Sequence, residues 1–456
     1  PLNLVFKTPL GATGARRRVE RRLVIVGGGV SALWLALYAA RSGIATTLVG
    51  IDRFGGYAST GNQGWLHSGA LYAMNGAHDL AAACRSGAEE VLRSAHSTGA
   101  GLTSPTVVGV FIPGDEQQLD EGIRRLRTSR IDFEVRDISE MPDAYFLYPG
   151  DRRRKVVVTG DRAIDTQLLV QEMLEQVARH GGRVGICRSP VRLAEGKSGW
   201  TVEAENESIS AEAVVLALGA GLPGFLSEQL PHLSLPAYRV TRSRVIAMAV
   251  PKLNTIVVPL TVGSPAVVPI WHGGKIRGVT ICILADNDAG SGDSADFDPG
   301  DAYQLVDYYA HSIPGLARLL GRGNLTLGMY GCQKLHMSGD EGTESLRLYK
   351  LDNYAPGLYG FYAGKMSSAP VAAAACLDRL VTDGIIRDEG VEELPRAEWK
   401  LRGENIAART ACEAIGVGPH TRVTSEQWLA WREGSSGRSA ESPPRPSPRD
   451  SFDQLG

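Results

Sequence analysis

From Leu23 onward, apolar runs alternate with glycine turns. LVIV (residues 23–26) is followed by GGGVSA (27–32), then by apolar positions at helical spacing to about Arg41, then by TTLVG (46–50). This order predicts strand, tight turn, helix, strand, the opening of a parallel α/β unit. Residues 76–98 are alanine-rich with helical spacing. Between 105 and 160 the short runs TVVGVFI, IDFEV and KVVVTG predict an inserted sheet. Residues 165–181 predict a helix closed by Gly181. A β pair is expected around Arg183–Val191 and Gly199–Ala204, and AEAVVLALGAG predicts a buried parallel strand ending in a glycine turn. VIAMAV, TIVVPL, AVVPIW and VTICIL, between 238 and 285, suit one broad antiparallel sheet. A helix is expected over 301–320, before LTLGMYG, and GLYGFYAGKMSSAPVAAAACLDRLV predicts strand, loop, helix.

The fold class this implies is α/β: a Rossmann-type dinucleotide domain with an inserted substrate domain on a mainly antiparallel sheet. The expected division is an irregular arm at 1–20, a dinucleotide domain from 21–105, 161–225 and 345–385, and a substrate domain from 106–160 and 226–344. A C-terminal extension at 386–433 leads to a Ser, Pro and Arg-rich tail at 434–456, whose composition predicts disorder. No internal repeat is evident.

Composition narrows the function. With 43% hydrophobic and 21% charged residues the chain reads as an ordinary soluble globular protein. Its net charge of −2 supplies no field toward nucleic acid or anionic lipid. Cys84, Cys187, Cys282, Cys332, Cys376 and Cys412 are scattered, which suits free thiols in a reducing compartment. Arg16, Arg17, Arg18, Arg21 and Arg22 before the apolar stretch Leu23–Ala40 have the look of a signal peptide. Three glycines interrupt that stretch and no small-residue cleavage site follows, so the expected location is cytoplasmic, without a transmembrane segment. No metal-spaced His/Asp cluster and no GxSxG nucleophile turn is present, so no metal is expected.

The turn at Gly27-x-Gly29-x-x-Ala32 carries specific chemistry. Gly27 permits the tight turn, Gly29 lets the backbone approach a pyrophosphate, and Ala32 allows close helix–strand packing. The helix N-terminus supplies N–H groups and a positive dipole end. The acid expected about 20 residues on, for the adenosine ribose, is replaced by Gly50; Asp52 is the candidate substitute.

Residues 58–72, ASTGNQGWLHSGALY, resemble the flavoproteins related to D-amino-acid oxidase, and especially L-2-hydroxyglutarate oxidases and dehydrogenases. Ser59, Gly61, Asn62, Gly64, His67, Gly69 and Tyr72 carry that resemblance. Gly364-Lys365-Met366-Ser367-Ser368 is similar to the GK-x-T-T loop of FAD-linked glycerol-3-phosphate dehydrogenases, and Val214–Gly221 matches a third element. Together these span about residues 21–385 in order.

The resemblance implies FAD as cofactor, bound non-covalently rather than through a histidine. It implies cofactor contacts from Gly27, Gly29, Ser31, Ala32, Asp52, Ser59, Thr60, Gly61, Asn62, Gln63, Gly64, Val191, Gly219, Gly364, Lys365, Met366 and Ser367. Pro370 suits the first turn of a helix capped by Ser367 or Ser368, aimed at the flavin edge where reduction places negative charge; Lys365 would stabilise that charge. His67 is the second catalytic candidate, and a packed structural histidine is the competing reading. His272, Gln333, Lys334 and His336 are substrate candidates, with Gln333 and Lys334 standing where relatives place a carboxylate-binding Arg. The implied reaction moves a hydride from a carbon bearing OH or NH to flavin N5, with oxygen or another acceptor reoxidising the flavin. The competing class is a flavin-fold binding protein, or inactive relative, with little redox chemistry.

Overall fold

The computed structural model describes residues 17–386 apart from 57, 97–100, 197–198, 205–206, 234–237, 262, 284–298, 324 and 338–348, together with residues 415 and 421–435. The expected tail at 434–456 lies outside the described residues from 436 on.

Two sheets organise the chain. In the first, the strand order is Tyr349–Ala355, Leu358–Ala363, Glu207–Leu216, Arg17–Val26, Thr46–Ile51, Arg183–Cys187. Along this order every pair is parallel except the edge hairpin of Tyr349–Ala355 with Leu358–Ala363; off it, Gly199–Ala204 pairs antiparallel with Glu207–Leu216. Leu23 to Val26 are fully buried, as expected of a parallel strand covered on both faces. The helix Val30–Arg41 lies against that sheet between the helices Thr166–Arg179 and Ala369–Thr382, with Leu33, Trp34, Leu35 and Leu37 wholly enclosed. This is the Rossmann-type arrangement that the glycine turn predicts.

The second sheet has nine strands in the order Thr421–Thr424, Thr326–Met337, Tyr238–Met248, Lys275–Ile283, Pro265–His272, Thr255–Pro259, Val108–Ile112, Lys155–Thr159, Phe133–Asp137. All its pairs are antiparallel except Thr255–Pro259 with Val108–Ile112, the parallel seam where two distant segments of chain join. One face is covered by the helices Pro142–Leu147, Pro299–Ser312, Pro314–Leu320 and Ser425–Ser435. Phe111, Ile256, Val258, Ala266 and Val268 on the other face pack against residues 65–84.

Several sequence expectations change. The irregular arm of 1–20 ends sooner, because Arg17–Val26 is one strand whose first half pairs with Glu207–Ala211. Arg183–Cys187 does not pair with Gly199–Ala204; it extends the parallel sheet beside Thr46–Ile51, while Gly199–Ala204 forms a hairpin with Arg192–Gly196. Alternation reveals a strand but not its partner. The helix expected over 301–320 is two helices, because Ile313, preceding Pro314, is driven out of the helical region (φ −125°, ψ 94°). The helix Glu116–Thr128 went unread because it buries only Gly122 and Leu126; its start is nonetheless marked by Asp115, which accepts from Gln118 N–H. The helix at Thr166–Arg179 keeps the expected end, with Gly181 left-handed at φ +82°.

The C-terminal extension is structural where it is described. Thr421–Thr424 adds a strand to the second sheet and Trp428, 1% exposed, fills the core beneath it. Trp428→Ala should therefore destabilise the protein by about 3–5 kcal/mol, the range for deleting a buried large aromatic. Denaturant titration measures this; a loss below about 1 kcal/mol would show that the helix Ser425–Ser435 is not part of the cooperative core.

Candidate active site

The turn after the first strand shows why glycine is required. Gly27 has φ +147°, and a Cβ there would lie 2.2 Å from the Ala217 carbonyl oxygen. Gly29 is the N-cap of the helix Val30–Arg41, supplies no side-chain cap, and its Cβ would stand 2.9 Å from Ser59 Oγ. Ser59 Oγ accepts from the Val30 N–H (3.0 Å), which leaves the hydroxyl proton to donate elsewhere. The helix start thus has no cap from its own N-cap residue and is bordered by small residues, the chemistry a pyrophosphate needs. Ala32 is fully buried, and Ser31 Oγ accepts from Ala363 N–H (3.0 Å), tying the helix to the residue before Gly364.

The loop 58–68 is knitted by its own polar groups. Thr60 donates its hydroxyl to the Gly55 carbonyl. Asn62 Nδ2 donates to the carbonyls of Ala58 (2.9 Å) and Ser59 (3.0 Å), and its Oδ1 accepts from Gly64 N–H (2.7 Å). Gly61 is buried, and Gly64 has φ +70° and accepts from Ile164 N–H. Three contacts carry the loop outward. Gln63 Nε2 donates to Cys282 Sγ (2.9 Å), Tyr330 Oη to the Asn62 carbonyl (3.4 Å), and Asn62 Nδ2 to Met366 Sδ (3.6 Å). The first two reach the second sheet, the third the Gly364 loop.

His67 stands where these parts meet. Its backbone N–H donates to Ser367 Oγ (2.8 Å), a fully buried hydroxyl. Its ring stacks on Trp65 at 4.0 Å and meets Tyr72 at 5.2 Å. Nδ1 is buried and makes no hydrogen bond among the described residues. Burial, reinforced by the Lys365 and Lys334 ammonium groups, pushes the His67 pKa down to about 3. Lys365 Nζ lies 5.8 Å from the Tyr72 ring centroid. Behind Trp65, Asp161 is 0% exposed and accepts from Trp65 Nε1 (2.7 Å) and Ser68 Oγ (2.6 Å).

Other candidates are placed elsewhere or differently. Ser368, not Ser367, is the N-cap of Ala369–Thr382, and its side chain makes no capping bond but donates to the Lys365 carbonyl (3.2 Å). Pro370 occupies the first turn as expected. On the strand Thr326–Met337, alternation puts Lys334 on the face of Tyr330 and Cys332, and Gln333 on the opposite face. Of the two, Lys334 is the one whose charge bears on His67. His272 Nδ1 sits 3.0 Å from Asp165, the cap of the helix Thr166–Arg179. The His336 side chain lies outside the described residues. Gly219, at φ +53°, follows the strand end beside Gly27, and Val191 is buried in the core behind the sheet. Gly50 cannot carry a larger residue as its surroundings stand, because a Cβ would lie 2.7 Å from the buried Phe54 ring. Asp52, in a left-handed conformation (φ +62°), has a carboxylate 65% exposed and paired with Arg53. Asp161 escaped the sequence reading because Ser68 and Trp65, the partners that tie it to His67, lie 93 and 96 residues away.

A chain with this glycine turn, and with two lysine charges bearing on His67, belongs to a known class. Residues 22–355 match the family described as FAD dependent oxidoreductase, and the chain is a member of that family. Its cofactor is FAD. The chain is 25% identical over 403 residues to "Probable FAD-dependent oxidoreductase PA4991" of Pseudomonas aeruginosa, covering 82% of this chain and 95% of the relative. In fold it is similar to iminodiacetate oxidase (IdaA) from Chelativorans sp. BNC1, with TM-score 0.61 and 18% identity over 80% of this chain and 95% of the other. It is also similar to L-alpha-glycerophosphate oxidase from Mycoplasma pneumoniae, solved with FAD bound, with TM-score 0.60 and 16% identity over 80% of this chain and 95% of the other. Among the described residues no helix is long and apolar enough to cross a membrane.

The depressed His67 pKa has a consequence for stability. The unfolded chain binds this proton at about 6.5 and the folded protein only near 3. Stability is therefore undiminished by this group above pH 6.5 and falls as pH drops from 6.5 toward 3, by up to about 1.4 kcal/mol per pH unit for one proton. His67→Asn should flatten that slope. Melting temperatures between pH 7 and pH 4 (experimental conditions of roughly one Debye regime, about 0.1 M salt) check this; identical slopes in parent and variant would mean that His67 is protonated in the fold.

Proposed function

We propose that this FAD-dependent oxidoreductase oxidises a carbon bearing a hydroxyl or amine on a small anionic molecule, in the cleft between its two sheets. When bound, FAD supplies the hydride acceptor. The segments 21–105, 161–225 and 345–385 hold the cofactor, and 106–160 and 226–344 enclose the substrate. Gly27, Gly29, Ser31 and Ala32 cradle the pyrophosphate, while the loops 59–64 and 364–367 border the flavin. The observation that carries the reading is the buried, unpartnered Nδ1 of His67, flanked by two lysines.

His67 is held neutral, and a ring that protonates near 3 is a weak base. Its work is then to accept a hydrogen bond from the substrate O–H or N–H and orient the reacting carbon. Lys334, on the sheet face that Tyr330 links to Asn62, holds the anionic group as a point charge, where a guanidinium would hold it bidentately. Iminodiacetate and glycerophosphate, the compounds named for the two solved relatives, are both anions, one an amine and the other an alcohol. Oxygen or another acceptor completes the cycle.

The purified protein should show a flavin absorbance spectrum, and acid precipitation should release the flavin into the supernatant. A colourless protein that gains no flavin on reconstitution overturns the proposal; flavin left in the pellet overturns the non-covalent part.

Lys365 stabilises negative charge at the flavin edge. Lys365→Met should lower the flavin midpoint potential by about 30–60 mV, taking about 1.5–3 kcal/mol for a charged hydrogen bond and a two-electron couple. Photoreduction with a reference dye measures it without a substrate; an unchanged potential places Lys365 away from that edge.

A further inference from the structure

Asp161 is a fully buried carboxylate, and an acid taken out of water this way is expensive unless its lone pairs are used. Here both oxygens are used twice. Oδ1 accepts from Trp65 Nε1 (2.7 Å) and from Ser68 N–H (3.1 Å). Oδ2 accepts from Ser68 Oγ (2.6 Å) and from the Thr159 hydroxyl. Trp65 and Ser68 stand on either side of His67 in the chain, and Thr159 ends the second-sheet strand Lys155–Thr159. Room for this junction is kept by Gly109, opposite Thr159 in the sheet: a Cβ there would lie 2.6 Å from Thr159 Oγ1 and 2.9 Å from Asp161 Oδ2. The backbone reinforces it, since Trp65–Leu66 pairs with Arg162–Ala163.

We propose that Asp161 is a positioning residue: by gripping Trp65 and Ser68 it holds the His67 ring stacked on the indole, with Nδ1 kept buried. The inference rests on the reading that His67 borders the reacting groups. The grip is mechanically complete. Trp65 is fixed at its far end by Nε1, so the indole cannot swing away from the imidazole stacked on it at 4.0 Å. Ser68 is fixed through backbone and side chain together, so the peptide carrying His67 cannot rotate. The remaining restraint comes from the other side, where Ser367 Oγ accepts the His67 N–H (2.8 Å). Asp161 therefore transmits the position of the second sheet to the ring, and any tilt between the two sheets moves His67 with it.

A role in charge balance, with Asp161 offsetting Lys365 and Lys334, makes a different prediction. Asparagine has the same shape. Its Oδ1 accepts from the Trp65 indole and the Ser68 N–H, and its Nδ2 donates to the two hydroxyl oxygens, so all four contacts survive without the charge. Asp161→Asn therefore preserves a grip and abolishes a charge, whereas Asp161→Ala abolishes both.

The test uses the FAD-loaded protein labelled with 15N-histidine, the His67 ring signals being assigned by their absence in His67→Asn. The groups bearing on the ring, Lys365, Lys334 and Tyr72, stay in place in every variant. Expected for Asp161→Asn are His67 signals at the parent positions, unprotonated over the same pH range. Expected for Asp161→Ala are displaced signals and a ring that titrates at least about two pH units nearer its ordinary value. Equal displacement in both variants overturns positioning in favour of charge; parent-like signals in Asp161→Ala overturn any role. If Asp161→Ala does not fold, Trp65→Phe keeps a stacking ring but removes one donor, and Ser68→Ala removes another. Each should displace the signals in part, and no displacement in either overturns the proposal. Flavin content, read from absorbance in the same samples, separates failure of the cofactor reading from failure of this one, because the His67 signals report the grip with or without flavin.

Discussion

The peptide N–H of His67 ties together two loops that are distant in the chain. It is satisfied by the Ser367 hydroxyl at 2.8 Å, across 300 residues of chain. A buried donor must find an acceptor, and here no backbone ladder provides one. The loop after the second strand and the loop before the last helix of the first sheet are thereby held at a fixed separation. Gly87 shows how tightly: a Cβ on it would lie 2.0 Å from the Ser367 carbonyl oxygen, so the helix His78–His96 presses on the same point. Asn62 and Met366, one from each loop, meet across that closure at 3.6 Å.

The cleft is electrostatically lopsided. Two lysines bear on a histidine that burial already keeps neutral, and the nearby Cys84 thiol is pushed up to about 12, chiefly by burial. Such an interior discourages protonation of its own imidazole. The outer end differs: Asp52, directly after the strand Thr46–Ile51, is exposed and paired with Arg53, and Gly50 is overlain by Phe54.

Local physics made the first sheet legible from sequence. Gly27, Gly29 and Ala32 have few structural alternatives, since the turn admits no Cβ and the helix start admits no bulk. The alternating runs of the second sheet were equally readable as strands. Their partners were not: the parallel seam of Val108–Ile112 with Thr255–Pro259, and the transfer of Arg183–Cys187 to the first sheet, are decided by tertiary packing. The site divided in the same way. His67, Lys365 and Asn62 carried a recognisable pattern, whereas Asp161 offered only a lone acid after a strand. Gln333 and Lys334 looked interchangeable in sequence, and only the pleat of the strand put them on opposite faces.

The same seam governs how the molecule is born. The strand Val108–Ile112 leaves the ribosome long before its parallel neighbour Thr255–Pro259, and the sheet they share is finished only by Thr421–Thr424. Arg17–Val26 likewise waits for Glu207–Leu216. For most of its synthesis the nascent chain therefore carries strands with open edges and no mates, the condition in which slow pairing competes with aggregation. A fold woven from such distant segments of chain cannot mature one sheet at a time, and its order of completion is set by topology before any catalytic residue matters.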